Sequence, residues 1–258
     1  MKTFRMIGMA LFAVLMCLNF ASCSSSDDGE PSNKENTSGK LLIKMKCEDG
    51  YSEPKLFFYN NNRQLIKVTE GNSNATFTWD DNQITVSYHH GQYRNETATL
   101  YLKNGIITSI QETNSFNSYI TSLTYDNNNH LIGYRNNLDS EETWTWSNGN
   151  VISNSYSIVN ATYYTDKANK HTLININDLN FDYIVNSTCC MWLLEAHPYL
   201  IGTPYKNLLK STTSNSSGHA YDYTYELDSD GYPIKIIQTE NNSYGFTPLS
   251  YTYTLTWE

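Results

Sequence analysis

The feature that most constrains this chain is a recurring unit: a short strand ending in an aromatic residue, an Asn/Asp/Gly turn, and a second strand. Phe57-Phe58-Tyr59 leads through Asn60-Asn61-Asn62 into Leu65-Ile66-Lys67-Val68. Phe77-Thr78-Trp79, Leu100-Tyr101-Leu102, Leu123-Thr124-Tyr125, Trp144-Thr145-Trp146 and Tyr223-Thr224-Tyr225 each open another copy. Tyr59, Trp79, Tyr101, Tyr125 and Trp146 follow one another at steps of 20 to 24 residues. That period holds one β-hairpin and its links, because a strand residue advances about 3.3 Å. Asn104-Gly105 and Asn148-Gly149 are strong hairpin signals, since the tight turn needs positive φ at both central residues. Consecutive hairpins pair with their sequence neighbours and build an antiparallel meander.

Alternation gives the strands two faces. Trp144-Thr145-Trp146, Tyr221 to Tyr225 and Tyr251 to Trp257 are aromatic on one face and Thr-rich or charged on the other. A meander of a dozen or so strands twists and curls, and burying an aromatic face requires the curl to close or be filled. One stretch breaks the alternation. Asn175 to Lys210, with Leu179, Phe181 and Cys190-Met191-Trp192-Leu193-Leu194, is densely apolar without a two-residue period. Asp178 suits a helix cap, Pro198 a helix end, and a further short turn is expected near Tyr205. The expected fold is therefore mostly all-β: an antiparallel hairpin-repeat meander, strongly curved or barrel-like, with one partly helical insert around 175–210 packed on the concave face.

Ahead of the strands lies an address. Lys2 and Arg5 precede the apolar run Ile7 to Phe20, which has signal-peptide length and is too short to span a bilayer. Phe20-Ala21-Ser22-Cys23 resembles a bacterial lipobox, which implies cleavage before Cys23 and acylation of that cysteine; an ordinary secretory cut near Ala21 is the alternative. The domain expectation is a signal peptide at 1–22, a disordered Ser/Asp/Glu tether at 23–39, and a single β domain at 40–258. The anchor on Cys23 is the expected link to a membrane.

The net charge of −9 and the lack of a Lys/Arg cluster argue against nucleic acid as a partner, because such binding rests on neutralising phosphates. Cys47, Cys189 and Cys190 remain after the signal and the lipid site. They lack CxxC or His-rich spacing, so no metal site is expected; a Cys47 disulfide to Cys189 or Cys190 and buried free thiols both fit.

The lipobox, the hairpin repeats, Ile176-Asn177-Asp178-Leu179-Asn180, Tyr205-Lys206-Asn207-Leu208-Leu209 and the closing Tyr-x-Tyr-x-Leu-x-Trp strand together resemble the DUF4595 family of Bacteroidetes lipoproteins. That resemblance covers most of Leu41 to Glu258. It implies a porin-like fold in a domain of unknown function, some of whose members are called lipid-binding. Ser24-Ser25-Ser26-Asp27-Asp28 resembles the signal that sends such lipoproteins to the outer face of the outer membrane of a Gram-negative cell.

Catalytic motifs are missing: no GxSxG, Walker loop, HExxH or Rossmann fingerprint occurs. No enzyme activity and no cofactor are expected. Asp228-Ser229-Asp230-Gly231 looks like a calcium-loop fragment, but its twelfth position is Ile237, so a hairpin turn explains it better. His89-His90 should point to opposite faces. Glu195 and His197 could share a cleft, but nothing supplies a nucleophile. Glu141-Glu142 and Asp80-Asp81 read as solvated charge. The aromatic rows invite a binding reading, since Tyr and Trp stack on sugars and line apolar grooves, although cross-strand ladders account for most of them. Trp79, Tyr125 and Trp146 at strand ends, and Trp192 in the insert, are the candidate ligand-binding residues for a lipid-like or glycan ligand. A non-enzymatic binding module is the main expectation; a structural or interaction protein of the outer membrane is the alternative, and an unrecognised hydrolase comes third. The sequence names no protein partner.

Overall fold

The computed structural model describes residues 39–90, 94–113, 118–155, 158–170, 188–214, 219–242 and 248–258. The signal, Cys23, the tether up to residue 38, His171, Asp178 and the rest of the expected insert from 175 to 187, and the Cys189 side chain, lie outside the described residues. Sixteen strands make one sheet. In chain order they are β1 (Leu42–Cys47), β2 (Lys55–Tyr59), β3 (Leu65–Glu70), β4 (Ser73–Asp80), β5 (Gln83–His90), β6 (Arg94–Lys103), β7 (Ile106–Thr113) and β8 (Ser118–Tyr125). They continue as β9 (Leu131–Asn136), β10 (Glu141–Ser147), β11 (Asn150–Asn154), β12 (Ile158–Ala168), β13 (Asn207–Ser214), β14 (His219–Leu227), β15 (Pro233–Asn242) and β16 (Leu249–Trp257). Between β12 and β13 stand a helix, α1 (Thr188–Ala196), and a 3-10 turn (Pro198–Ile201).

The ladders are antiparallel and join sequence neighbours, with one addition: β1 also pairs with β16. That pairing bends the meander into a nearly closed barrel whose two free edges, β11 and β12, are consecutive in sequence. The expected all-β, barrel-like meander is thus the observed fold.

Local chemistry sets the turns. Asn104-Gly105 and Asn148-Gly149 both have positive φ at the two residues, +53° and +78° in the first and +52° and +77° in the second. A second turn type recurs four times. The side-chain oxygen of Asn60, Asp126, Asn136 or Asp228 accepts from the backbone N–H groups two and four residues on, at 2.8–3.0 Å. The residue three places on (Arg63, Asn129, Asp139 or Gly231) is left-handed in each. Short Asx side chains supply the turn's acceptor from within, which is why Asn and Asp crowd these positions. The Asp228 segment is therefore a hairpin turn, and Lys40 bridges Asp228 and Asp230 at 2.7 and 2.6 Å.

Alternation sorts the two faces. On β4, Ser73, Ala75 and Phe77 are buried while Thr76 and Thr78 are exposed. Register carries the outward row around the wall: Lys67 faces Thr76, Thr76 faces Ser87, and Ser87 faces Thr97. On the far side Thr162 faces Ser211, Ser211 faces Asp222, and Asp222 faces Thr239. The barrel's outside is thus largely hydroxyl and charge.

A ring of about 16 strands encloses more space than wall side chains can fill. Here α1 fills it. Cys190, Trp192, Leu193, Leu194 and Ala196 are all 1% exposed or less. A helix apolar on every side is stable only when surrounded, and each fully buried Leu contributes about 1.5–3 kcal/mol. Trp192 meets Tyr88 of β5 edge-on at 5.5 Å, and Lys55 of β2 holds Glu195 of α1 at 2.7 Å. The described part of the insert, from residue 188, is partly helical and sits against the concave face as expected. Near Tyr205 the chain bends at Lys206 and enters β13, which begins inside the span expected for the insert.

Candidate functional site

The candidate site is the end of the barrel where even strands finish, odd strands begin, and the chain leaves β12 for the insert. One arrangement recurs there. Tyr59 at the end of β2 donates its hydroxyl to the Leu42 carbonyl at the start of β1, at 2.9 Å. Trp79 of β4 donates through Nε1 to the Leu65 carbonyl at the start of β3, at 2.8 Å. Tyr125 of β8 reaches Ile107 of β7 at 2.6 Å, Trp146 of β10 reaches Leu131 of β9 at 2.8 Å, and Trp257 of β16 reaches Pro233 of β15 at 2.6 Å. Burial of the rings beside these acceptors pushes the Tyr59 and Tyr125 hydroxyls well above the usual phenol range, so both remain donors.

The same arrangement closes the seam. Tyr163 of β12 donates to the Val151 carbonyl of β11 at 2.7 Å, across the gap between the two free edges. Its hydroxyl too is pushed far up by burial. The Asn150 side-chain amide donates to Asn207 Oδ1 at 3.2 Å and its Oδ1 accepts from the Asn207 backbone N–H at 3.0 Å, while the Lys206 N–H donates to the Gly149 carbonyl at 2.8 Å.

Tyr101 departs from the expected pattern. Tyr101 alternates with buried Leu100 and points outward, 39% exposed; Leu102, directly after the bulge, packs on the core where Tyr59, Tyr125 and Trp146 sit after the equivalent bulges. The aromatic of this copy stands one position earlier than in the others, so alternation alone carries it to the outer face.

At the centre of this end sits His197, 2% exposed. Its Nε2 accepts from the Leu65 N–H at 3.1 Å, and its Nδ1 lies 3.0 Å from the Tyr199 hydroxyl. Tyr59, Trp79 and Tyr199 stand edge-on to the imidazole at 5.8, 5.3 and 5.4 Å. An Nε2 that accepts leaves the proton on Nδ1, which assigns the tautomer. His197 therefore pins the insert to the start of β3. No spacing rule exposes that role, because its partners come from β2, β3 and β4.

The four candidate ligand-binding residues fall into two groups. Trp79, Tyr125 and Trp146 line the same end, with their polar tips on backbone carbonyls; Trp146 also stacks on His130 at 4.4 Å. Trp192 is 1% exposed inside the barrel and is not brought together with the other three. Beside Trp146 the loop after the 3-10 turn leaves a narrow apolar cleft of about 10 Å³ lined by Leu131, Pro198, Ile201, Thr203, Pro204 and Tyr205.

Three inward acids escaped the sequence reading. Glu96, Glu112 and Glu142 are 5%, 4% and 2% exposed. For Glu142 this corrects the expectation of solvated charge; Glu141 is exposed as expected, and so are Asp80 and Asp81. Strand phase was the available signal, since Glu142 shares a face with Trp144 and Glu96 with Ala98 and Leu100. His89 and His90 lie at the exposed end of β5; His90 contacts Ser73 at 2.6 Å and His89 contacts Asn95 at 2.6 Å. Neither Cys47 nor Cys190 is disulfide-bonded, and burial raises the Cys47 thiol.

A solved structure described as a porin-like protein from Bacteroides uniformis matches this fold with a TM-score of 0.64 at 17% identity. The match covers 84% of this chain and 98% of that one. Neither a family model nor a curated protein matches the sequence. The porin-like fold implied by the DUF4595 resemblance is therefore shown, at the level of fold.

Proposed function

We propose that this chain is a non-enzymatic cell-envelope protein, held to the outer membrane through acylated Cys23, whose plugged barrel binds an apolar group at the cleft beside Trp146. The observation that carries this reading is the filled interior. Trp192, Leu193 and Leu194 occupy the lumen, so binding is directed to the end of the barrel. The outward rows of Thr, Ser, Asp and Lys support a barrel standing in water beside the membrane, since a membrane barrel carries an outward apolar band. The cleft's lining of Leu, Ile, Pro and Trp and its volume of about 10 Å³ favour the slender end of a lipid-like chain over a glycan, because a sugar ring would need more room and more polar partners than Thr203 and Tyr205 supply. The DUF4595 resemblance adds lipid binding as a property of some of that family.

A second reading, a structural or interaction protein of the outer membrane, is favoured by the committed polar tips of Tyr59, Trp79, Tyr125 and Trp146. Native mass spectrometry of the mature protein from its own host decides between them. A lipid-sized mass that is released on denaturation and is absent from Trp146→Ala supports the cleft. A clean apo mass, unchanged after incubation with host lipids and glycans, supports the structural reading.

A further inference from the structure

We infer that the outer face of β1–β3 docks on the anionic membrane surface to which the tether leads; this rests on the anchor reading above. Three apolar side chains gather on that face. Leu56 and Phe58 of β2 are 37% and 44% exposed, on the side opposite buried Phe57, and Ile66 of β3 is 41% exposed. Register sets a cation beside two of them: Leu56 faces Lys44 of β1, which has exposed Glu48 near it, and Phe58 faces Lys67 of β3. Both lysines are exposed. Exposed aromatic and aliphatic groups set among lysines suit a surface of anionic headgroups over acyl chains. The basic character is local, because the whole chain carries a net charge of −9.

The place where the tether arrives points to a membrane as the occupant. Gly39 to Leu41 are clamped on the barrel immediately before β1. Lys40 bridges Asp228 and Asp230, its N–H donates to the Tyr232 hydroxyl at 3.0 Å, and Arg63 donates to the Gly39 carbonyl. Leu41 and Glu258 exchange backbone hydrogen bonds at 2.7 and 2.9 Å. The lysine's hydrogen bonds to Asp228 and then Asp230 raise it to about 12, so the clamp keeps its charge across the physiological range. Ser24 to Gly39 intervenes between the lipid and this clamp, a run that reaches at most about 55 Å when fully extended. The membrane is thus delivered to the root of β1, and the Lys44–Phe58–Lys67 face stands beside that root at high effective concentration.

The test uses the mature protein purified from its host, reconstituted into phosphatidylethanolamine vesicles with and without phosphatidylglycerol, and in detergent alone. Lysines are acetylated briefly and read by mass spectrometry. Labelling of Lys44 and Lys67 should fall several-fold on phosphatidylglycerol vesicles relative to detergent and recover at high salt. Exposed Lys103 and Lys210, farther round the wall, should label equally in all three. Uniform labelling overturns the docking. Protection that persists in detergent means that a bound protein covers the face, and also overturns it. The Cys23 peptide mass reads the anchor separately. If Cys23 carries no acyl chain, the anchor reading fails, and vesicle flotation of the same protein decides the face. Flotation that weakens about fivefold for each of Lys44→Gln and Lys67→Gln keeps it; no flotation, or flotation unchanged in both variants, overturns it.

Discussion

Gly202 gives the sharpest test of how the insert is seated. Its φ is +91°, and a Cβ placed there would lie 2.1 Å from the Asn129 carbonyl oxygen and 2.9 Å from the Tyr125 ring. The neighbouring Thr203 N–H donates to that same carbonyl at 2.7 Å, and its hydroxyl donates to Asn128 at 2.8 Å. Gly202→Ala therefore faces three costs. A side chain at positive φ costs about 1 kcal/mol. Forcing a methyl against backbone costs about 1–3 kcal/mol. Moving the loop to relieve the clash weakens the Thr203 hydrogen bond, about 1 kcal/mol. The expected loss is about 3–5 kcal/mol. Gly50→Ala is the matched control: its φ is +80°, but nothing lies within 4 Å of the added Cβ. It should lose only the conformational cost of about 1 kcal/mol. Urea unfolding followed by tryptophan fluorescence measures both. Equal losses for the two variants would show that the 3-10 turn does not press on the Asn129 turn, and the account of the plug's seat would be wrong.

Three further outcomes are expected. Tyr163→Phe removes the donor that bridges β11 and β12 and leaves the Val151 carbonyl without it, costing about 1–3 kcal/mol. Tyr101→Phe, whose hydroxyl makes a 3.4 Å contact on the outside, should change stability by less than about 0.5 kcal/mol, and urea midpoints for the pair check the contrast. Leu193→Ala, fully buried in α1, should lose about 2–5 kcal/mol, again by urea unfolding; a smaller loss would mean a loosely filled lumen. Burial raises the Glu70 carboxyl, with Lys55 opposing, so the folded state holds that proton more tightly than the unfolded one. Glu70's contribution is therefore most favourable below the ordinary glutamate range and declines as pH rises from there to the raised folded value. In a pH series of urea midpoints, Glu70→Gln should remove that decline; an unchanged slope would refute it.

The sequence by itself determined what is local. Asn-Gly pairs at 104–105 and 148–149, and the Asn and Asp residues that lead the other turns, fix hairpins through contacts no more than four residues long. Alternation then fixes which side chains share a face, and hairpin after hairpin gives the meander. The apolar run around Trp192 marked itself as interior because it lacked a two-residue period. Tyr101 is the exception because it stands one position earlier in its copy than the other aromatics do, so the same alternation that buries Leu100 and Leu102 turns it outward.

Tertiary structure alone decided closure and site. The β1–β16 ladder joins residues about 200 positions apart, and the donors Tyr163, Trp79 and Trp146 find acceptors on neighbouring strands that no local pattern names. His197 has the same dependence: its value lies in Leu65, Tyr59, Trp79 and Tyr199 meeting it from three strands and a turn. The physical reason is one of range. Turn geometry is written in adjacent side chains, whereas ring closure and plug packing are settled by the space left inside once sixteen twisted strands have met.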